Sequence, residues 1–422
     1  MTLPALNSAS AAAATFRRPP VTAPEPATIP AVIGLAKLAT MKFRGQDIMP
    51  TYRLLASRLE RDQSNVAPLM DVAILDQFLG FPQRALTIQS AALQACRLFR
   101  VPCASGTPRL RLVGFCMAGP INANIPVEFL IEGSEVELIL VYVVPGLPIP
   151  MPPDHDIAMV LAAESEPARP VFTALETVLA RWPRPVLDLP DRVPLLGRES
   201  LYRLADGVVG VEIPATVRVD AETLAAIAAG EKPIEEALPD GGFPIIARPV
   251  DSHGGQGLER LDDPGAAQAY LTRCAVPEYY LSRFVEYRSA DGQYRKYRIA
   301  VIDGVPYPSH LAISDHWMVH FLNAGMTDSE AKKAEEARFL ERFEEEFAAR
   351  HGAVLRELAV RSGLEYFGVD CSETRDGRLL LFEADTSLIV HNMDSPIEFP
   401  YKDRRMRRLF HAFQAMLYRR AG

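Results

Sequence analysis

Residues 365–386 read EYFGVDCSETRDGRLLLFEADT, and this stretch decides the fold of the C-terminal half of the chain. Two segments rich in Phe, Val and Leu flank the dipeptide Asp376-Gly377. Asp-Gly between such segments is the strongest short-range signal for a β-hairpin with a two-residue type I′ loop. With that loop Asp370 lies directly opposite Glu383, and Asp385 lies on the same face two residues further along.

The predicted hairpin brings three carboxylates, those of Asp370, Glu383 and Asp385, onto one patch of otherwise apolar strands. Like charges opposed across strands destabilise a sheet, and burial raises that cost unless a positive charge neutralises them. A divalent cation is the natural remedy, and Mg²⁺ favours few carboxylates together with phosphate oxygens and waters. The sequence therefore predicts a metal site. If the register is off by one residue, the same acids are solvated surface charges.

A glycine-rich segment follows a predicted strand at residues 243–249. Residues 248–258 read RPVDSHGGQGL. Three glycines in four positions let backbone amides turn toward an anion, and Arg248 at the end of the strand can hold a phosphate with a fixed guanidinium. The GxxxxGK[ST] pattern of a P-loop is absent. A glycine-rich hairpin turn explains the segment nearly as well as a phosphate loop does.

Lys296 and Arg298 add two cations on one face of a predicted strand. Asp303-Gly304 follows that strand and predicts a second hairpin. Together with the glycine loop and the carboxylates, these residues indicate a site for an anion and a metal. The alternative is an exposed strand edge, where long cationic side chains are common.

The chain divides into four parts by pattern. Residues 1–30, rich in Ala, Pro, Ser and Thr, predict a disordered tail. Residues 31–107 have helical periodicity and resemble one tetratricopeptide unit; residues 108–190 alternate strands and helices, as a small Rossmann-like domain without GxGxxG does. Residues 191–422 carry the chemistry. The fold class predicted is mixed α/β (α+β), with an N-terminal α-helical segment.

The predicted helical segment has two interpretations. Tetratricopeptide repeats normally need several copies to stack, and only one unit is visible in the sequence. A helical cap packed on its neighbour is therefore favoured. A binding surface for a protein or peptide partner is the alternative.

Composition limits the partners and the compartment. The 45 basic and 53 acidic residues leave a net charge of −8 without a basic tract, which argues against a nucleic-acid partner. No run of about eighteen apolar residues is free of charge or proline, so we expect no membrane span. The five cysteines are scattered and never in CxxC spacing, which argues for a reducing compartment and against a zinc site or disulfide framework. We expect a cytoplasmic protein.

The order of these motifs resembles the ATP-grasp superfamily, especially its RimK and glutathione-synthetase branch. The order is the glycine loop, the segment LSRFVEY at residues 281–287, the strand with Arg298, and the set Asp370…Glu383-x-Asp385. The α/β unit before them is similar to the pre-ATP-grasp domain. The helical start resembles a bacterial subgroup that fuses tetratricopeptide-like helices to an ATP-grasp module. The resemblance covers about residues 108–400 as one module.

The resemblance implies ATP and Mg²⁺ as cofactors, with Mn²⁺ as a substitute. Asp370, Glu383 and Asp385 would bind the metal that bridges the ATP phosphates. Arg298 and Arg248 would be catalytic, one orienting the transferring phosphate and the other standing where the family often has a phosphate-binding lysine. The residues implied to bind the nucleotide are Arg198, Arg248, Ser252, His253, Gly254, Gly255, Gln256, Gly257, Arg283, Phe284, Val285, Glu286, Tyr287 and Lys296. Those implied to contact substrates, or to serve as a base, are His310, Asp315 and His316.

Three positions depart from the family pattern. Arg248 replaces the usual lysine, Asp385 replaces the commoner asparagine, and Lys296 stands where an acidic contact to the ribose is often found. Arginine is a competent, even bidentate, phosphate ligand, so the first departure is compatible with an active site.

The activity implied is an ATP-dependent carboxylate–amine ligase that forms an amide bond through an acyl phosphate. Its substrates would be a small-molecule or peptide carboxylate and an amine acceptor. An ATP-dependent phosphotransferase on the same fold is the alternative within enzymes. A partner-binding helical adaptor with a vestigial nucleotide site is the alternative outside them, and it is opposed by the carboxylate set, which would be a liability if unused.

Overall fold

The computed structural model describes residues 25–62, 64–250, 252, 254–320 and 323–422. Most of the predicted tail at residues 1–30 lies outside this part, and so does His253 of the predicted phosphate loop. In the described part a helical segment precedes three β-sheets with helices on their faces. The predicted mixed α/β class with an N-terminal helical segment is therefore confirmed.

The helical segment consists of α1 (Leu35–Phe43), α2 (Met49–Arg61), α3 (Ala67–Phe78) and α4 (Pro82–Ala95). The predicted helix pair is α3 and α4, which pack against each other. Leu75 and Ala85 are fully buried between them because apolar residues recur at helical spacing. Gly80 at φ 83° ends the first of the pair and Pro82 begins the second, where its missing N–H costs nothing.

Two carboxylates from other elements hold the N-terminus of α1, whose first N–H groups have no partner within the helix. Asp71 accepts hydrogen bonds from Ile33 N (2.9 Å) and Gly34 N (3.1 Å), and Glu128 accepts one from Ala36 N (3.0 Å). Gly34 has φ 90°, and a Cβ there would lie 2.4 Å from Glu128 Oε2. The bond from Ala36 N to Glu128 anchors the helical segment to the next part of the chain.

The first sheet belongs to a small α/β unit with strand order β1-β3-β2-β4-β5. Its elements are β1 (Leu98–Val101), β2 (Leu110–Met117), α5 (Val127–Leu130), β3 (Val136–Val143), β4 (Ile157–Val160), α6 (Arg169–Leu179) and β5 (Val186–Leu187). Neighbouring strands are parallel except β1 and β3. Every residue of β3 is buried, as in parallel sheets that are covered on both faces. The sequence pattern placed residues 98–101 in the helical segment, but they form the strand β1. A short apolar run does not distinguish a helix from a strand.

The second sheet is antiparallel, with strand order β7-β10-β8-β9. Its elements are β7 (Thr216–Asp220), α8 (Ala221–Ala228), β8 (Ile245–Pro249), β9 (Glu259–Leu261), α9 (Pro264–Arg273) and β10 (Glu278–Arg283). It has a hydrophobic core of its own, in which Leu224, Tyr279 and Leu281 are fully buried. The glycine loop connects β8 to β9 at one edge of this sheet.

The third sheet has strand order β12-β11-β13-β14-β6. Its elements are β6 (Val211–Glu212), β11 (Tyr294–Ile302), β12 (Val305–Ser314), β13 (Tyr366–Glu373) and β14 (Leu379–Asp385), with α7 (Arg198–Leu204), α10 (Glu330–Glu341), α11 (Phe347–Ser362) and α12 (Lys402–Ala421) beside them. Asp303 (φ 51°) and Gly304 (φ 76°) form the predicted hairpin between β11 and β12. Both angles are positive, as a type I′ turn requires.

The C-terminal helix α12 is amphipathic. Leu409, Phe413 and Leu417 are buried against the small α/β unit and the third sheet, whereas Arg404 and Arg407 face solvent. Within the ranges that the structure describes, no helix is both long enough and apolar enough to cross a membrane.

The hairpin between β13 and β14 pairs Asp370 with Glu383, as predicted, but through a different loop. The predicted two-residue loop is wrong: Arg375-Asp376-Gly377 form a three-residue loop, closed by a bond from Gly377 N to Thr374 O of 2.9 Å. The extra loop residue shifts the register by one position, and a bulge at Phe382 shifts it back. The predicted pairing is right because these two shifts cancel.

Candidate functional site

The three central strands of the third sheet bring acids and bases together on one face. Asp370 lies opposite Glu383 on one side and opposite Arg298 on the other. Lys296 lies two residues before Arg298 and therefore points to the same face of β11. The predicted charged residues of β11, β13 and β14 thus form one cluster.

Asp370 is the centre of this cluster and is almost completely buried. Arg298 donates two hydrogen bonds to it, from Nε to Oδ1 (2.7 Å) and from Nη2 to Oδ2 (2.8 Å). Lys296 Nζ donates a third, to Oδ2 at 2.9 Å. Burial raises the pKa of Asp370, but the two cations outweigh burial and hold that pKa far below its ordinary value. Asp370 is therefore ionised.

Glu383 and Asp385 have different surroundings on the same strand. Arg198 Nη2 donates to Glu383 Oε2 at 2.8 Å. Burial raises the pKa of Glu383, but Arg198 opposes it and the net pKa is below its ordinary value. Asp385 accepts a bond from Ser387 N (2.8 Å), and burial raises its pKa to about 6 despite that bond. Asp385 is the acid of this set that has no cation bonded to it among the described residues.

Cations of the chain take the neutralising role that the sequence assigned to a metal ion. The opposed carboxylates were expected to require a metal ion for neutralisation, but Arg298, Lys296 and Arg198 of the chain already neutralise Asp370 and Glu383. Across the described residues no group of three or more His, Cys, Asp or Glu side chains is arranged to hold a metal ion. The three carboxylates are still oxygen ligands of the kind that Mg²⁺ uses. The cations bonded to Asp370 and Glu383 need another anion as a partner before they can release these carboxylates.

Arg248 at the end of β8 is a cation of another kind. Its side chain is 8% exposed, and no described carboxylate forms an ion pair with it. Its Nε donates to Ser252 Oγ (3.1 Å), and its Nη2 donates to Ser252 O. Burial, and next the charge of Arg198, lower the pKa of Arg248 to about 10. A buried guanidinium beside a second arginine is suited to hold an anion.

The glycine loop is held next to Arg248 by these bonds to Ser252. Gly254, Gly255 and Gly257 have φ of 60°, 79° and 64°, which other residues rarely adopt. A Cβ at Gly257 would also lie 2.8 Å from Pro249 Cδ. The loop joins two antiparallel strands, so the hairpin interpretation is right; this leaves the phosphate interpretation open, since a hairpin loop can also present its amides.

The segment at residues 283–287, implied by the resemblance to bind the nucleotide, connects the second sheet to the third. Arg283 is bonded to Glu212 (2.7 Å) and lies 3.4 Å from Asp240, so its charge is neutralised within the chain. Phe284 packs edge to face on Trp317, with ring centroids 5.8 Å apart, and Tyr287 is buried and donates to Trp317 O. The structure therefore gives these side chains packing contacts rather than free polar groups. Val285 is half-buried, and Glu286 accepts a bond from Arg288 N.

The three predicted substrate contacts separate into two places. His310 is paired with Arg298 across β11 and β12, inside the cluster. Burial, and next the charge of Arg298, keep the pKa of His310 well below its ordinary value, so the imidazole is neutral. Asp315 and His316 follow β12 and are exposed. The sequence did not single out His320, whose pKa is lowered by burial and next by Lys296, which places it near the cluster. The only signal was a third histidine within eleven residues.

Comparisons with known proteins give one kind of match. No family model and no curated protein matches the sequence. Solved structures do match: a RimK-domain ATP-grasp protein from Sphaerobacter thermophilus is 17% identical, with 73% of this chain and 99% of that chain covered and a TM-score of 0.43. D-alanine–D-alanine ligase from Bacillus anthracis, complexed with ATP, is 12% identical, with 74% and 96% covered and a TM-score of 0.43.

The ATP-grasp ligase PsnB, complexed with a peptide precursor variant, Mg and ADP, is 14% identical, with 74% and 99% covered and a TM-score of 0.40. Two of these three structures are named as ATP-grasp proteins, the superfamily that the motifs of this sequence resemble. Because identities and TM-scores are low, the function proposed below rests on the side chains of this chain.

Replacing Arg248 with Ala is expected to weaken ATP binding by about 10- to 100-fold, because hydrogen bonds to charged groups contribute about 1.5–3 kcal/mol. Titration calorimetry with ATP measures the change. Arg273→Ala is the matched control, since Arg273 lies in the same unit and pairs with Glu259 at the surface. Unchanged affinity in the Arg248 variant would remove this residue from the phosphate site.

Proposed function

We propose that the chain is an ATP-dependent ligase that joins a carboxylate to an amine. The observation that carries the proposal is Arg248, a buried guanidinium without a described carboxylate partner, beside Arg198 and Glu383. An anion is needed to complete this site, and the glycine loop and the acid cluster border it. A nucleoside triphosphate with its metal ion supplies both an anion for the arginines and a cation for the acids.

The charges of the site support a nucleotide with its metal rather than either alone. Four cations, those of Arg198, Arg248, Lys296 and Arg298, face three carboxylates. When phosphates bind the arginines, the arginines release the carboxylates, which are then free to bind a metal ion. We propose Asp370, Glu383 and Asp385 as the residues that hold Mg²⁺, or Mn²⁺ in its place. When bound, such an ion neutralises phosphate oxygens and so favours attack at phosphorus.

The side chains of the chain then perform the positioning. Arg248 and Arg198 hold phosphate oxygens, and the loop from Ser252 to Gly257 covers them with backbone amides. Arg298, freed from Asp370, neutralises the approaching carboxylate. Two anions must meet in this reaction, so fixed positive charge is what the site contributes.

In the proposed reaction a carboxylate oxygen attacks the γ-phosphorus, and the bond from that phosphorus to ADP breaks. The product is an acyl phosphate. An amine nitrogen then attacks the acyl carbon, the carbon–oxygen bond to phosphate breaks, and the amine loses a proton. No nucleophile of the protein is required, which agrees with a cluster made of cations, acids and a neutral histidine.

The experiment that tests the proposal is an assay of ADP release across a panel of carboxylates, with and without amines. A ligase releases ADP when both substrates are present, and amide product accumulates in equal amount. ADP release that needs a carboxylate or another acceptor but no amine would indicate the phosphotransferase instead. If the chain binds no nucleotide in the presence of Mg²⁺, the ligase and the phosphotransferase are both contradicted. The partner-binding helical adaptor is then the remaining alternative.

Mg²⁺ is expected to bind at least about tenfold more tightly in the presence of ADP than in its absence. The reason is that Arg298, Lys296 and Arg198 occupy the carboxylates until phosphates replace them. Calorimetric titration of MgCl₂ with and without ADP, corrected for the binding of Mg²⁺ by free ADP, measures this coupling. Equal affinities would contradict the exchange of partners.

A further inference from the structure

A cleft of about 530 Å³ lies where three distant segments of the chain meet. One wall is the end of α1, with Phe43 and Arg44; the others are residues 325–328 and residues 393–399. The volume is in the range of pockets that enclose a small organic ligand. The lining of the cleft therefore comes from both the helical segment and the part of the chain at residues 191–422.

The cleft begins close to the acid and base cluster. Arg298 Nη1 donates to Ile389 O at 3.1 Å, and Met393 at the lip of the cleft follows four residues later. Four residues span at most about 14 Å. His320, near Lys296, precedes Gly325 on another wall by five residues. The lip of the cleft at Met393 is thus at most about 14 Å from Ile389, whose carbonyl Arg298 bonds.

The helical segment holds one lip of the cleft in place. Arg44 Nε donates to Met393 O at 3.3 Å, and the ring of Phe43 lies 5.5 Å from that of His391. On the inner side Asp394 Oδ2 is bonded to Lys402 Nζ at 2.9 Å. Lys402 is also bonded to Glu336, so it neutralises Asp394 only in part.

The lining holds one cation, Arg44, and two acids besides Asp394, so acids outnumber bases in it. Asp328 and Glu398 are exposed and form no ion pair within the part of the chain that the structure describes. Beside them Phe43, which is 42% exposed, gives the cleft an apolar wall, whereas Met326 and Phe399 of the lining are almost completely buried. This combination suits a ligand with a cationic group and an apolar part.

We propose that this cleft binds the amine substrate in its cationic form, as an amino-acid-derived amine with an apolar side chain. Asp328 and Glu398 attract the ammonium group, and the apolar lining receives the side chain. The helical segment is then a wall of the substrate site rather than a separate surface for a partner. The proposal rests on the ligase function for the fate of the amine, but binding itself is independent of ATP.

The test uses the full chain and three probes, glycinamide, leucinamide and phenylalaninamide, in calorimetry at concentrations up to about 10 mM. Wild-type protein is expected to bind phenylalaninamide or leucinamide more tightly than glycinamide. The double variant Asp328→Asn, Glu398→Gln is expected to bind about tenfold more weakly, as the loss of two exposed charge pairs predicts. The double variant Glu231→Gln, Glu235→Gln, which makes the same change on the second-sheet unit, is the matched control.

Three results would overturn the proposal: no binding of any probe by the wild type, unchanged binding by the Asp328 and Glu398 variant, or equal binding of uncharged N-acetylphenylalaninamide. Phe43→Ala, which removes apolar surface from the wall formed by the helical segment, is expected to weaken the binding of phenylalaninamide and leave ADP binding unchanged, and wild-type amine binding in that variant would remove the helical segment from the site. Nucleotide binding is measured separately. Amine binding without nucleotide binding contradicts the ligase and keeps the cleft, whereas the reverse result contradicts the cleft alone.

Discussion

Glu383→Gln is expected to lower ADP release at least about 100-fold, in the range seen when one preorganised charge is removed from a catalytic site. The change removes one carboxylate charge at nearly constant volume. The fold is expected to survive, because about a third of the Glu383 side chain is exposed and its partner Arg198 is also partly exposed. Such pairs contribute only about 0–1 kcal/mol to stability. Parallel measurements of ADP release and thermal unfolding separate the two effects.

Glu373→Gln is the matched control for this variant. Glu373 belongs to the same hairpin and is similarly exposed, but it is bonded to Arg350 (2.8 Å) and His351 (2.6 Å), away from the cluster. Its replacement is expected to leave ADP release within about twofold of wild type, as is usual for surface substitutions. Wild-type turnover in the Glu383 variant would refute the proposed role of this residue. Equal losses in both variants would indicate damage to the hairpin instead.

Lys402→Met is expected to lower the free energy of unfolding by about 3–5 kcal/mol, the usual result when one partner of a buried ion pair is removed. Lys402 Nζ is bonded to Glu336 Oε1 at 3.0 Å and to Asp394 Oδ2 at 2.9 Å, and Glu336 has no exposed surface. Tyr401 also donates to Glu336, at 2.7 Å. Chemical denaturation monitored by circular dichroism measures the loss.

The pH dependence of this variant has a defined sign. Burial raises the pKa of Glu336 above its ordinary value even with Lys402 present to oppose it. Without Lys402 the pKa rises further, so the folded state favours the protonated acid and stability is lost as the pH rises through that value. The deficit relative to wild type is therefore expected to be larger at about pH 8 than at about pH 5.

Lys333→Met is the control for the loss of a lysine charge on the same helix as Glu336. Lys333 pairs with Glu330, whose side chain is 90% exposed, so the expected loss is below about 1 kcal/mol. A Lys402 variant as stable as this control would mean that the buried network adjusts without its cation.

The sequence pattern within one segment predicts those features of the site that depend on residues close together in the chain. Alternating apolar residues and two Asp-Gly dipeptides predicted both hairpins, and Asp370 does face Glu383. The length of the loop and the bulge at Phe382 were not predicted, because both depend on how β14 packs rather than on the dipeptide. The predicted pairing of Asp370 with Glu383 is thus right, although the predicted loop that led to it is not.

The neutralisation of Asp370 lay beyond the sequence. Lys296 and Arg298 reach it because β11 pairs with β13, and their pairing joins residues more than seventy positions apart. The same holds for the contact of Arg44 with Met393. Contacts of this kind are set by the whole packing arrangement, and no periodicity within one segment encodes them.

The separate hydrophobic core of the second sheet has a thermodynamic consequence. Arg248 belongs to that sheet, whereas Arg298 and Glu383 belong to the third, and the two sheets bury different sets of apolar side chains. Cores that share few side chains gain little cooperativity from each other, so one unit can open without the other. A molecule that contacts Arg248 and Arg298 at once adds its binding free energy to both units only while they are folded together. Such a molecule would merge two unfolding transitions into one.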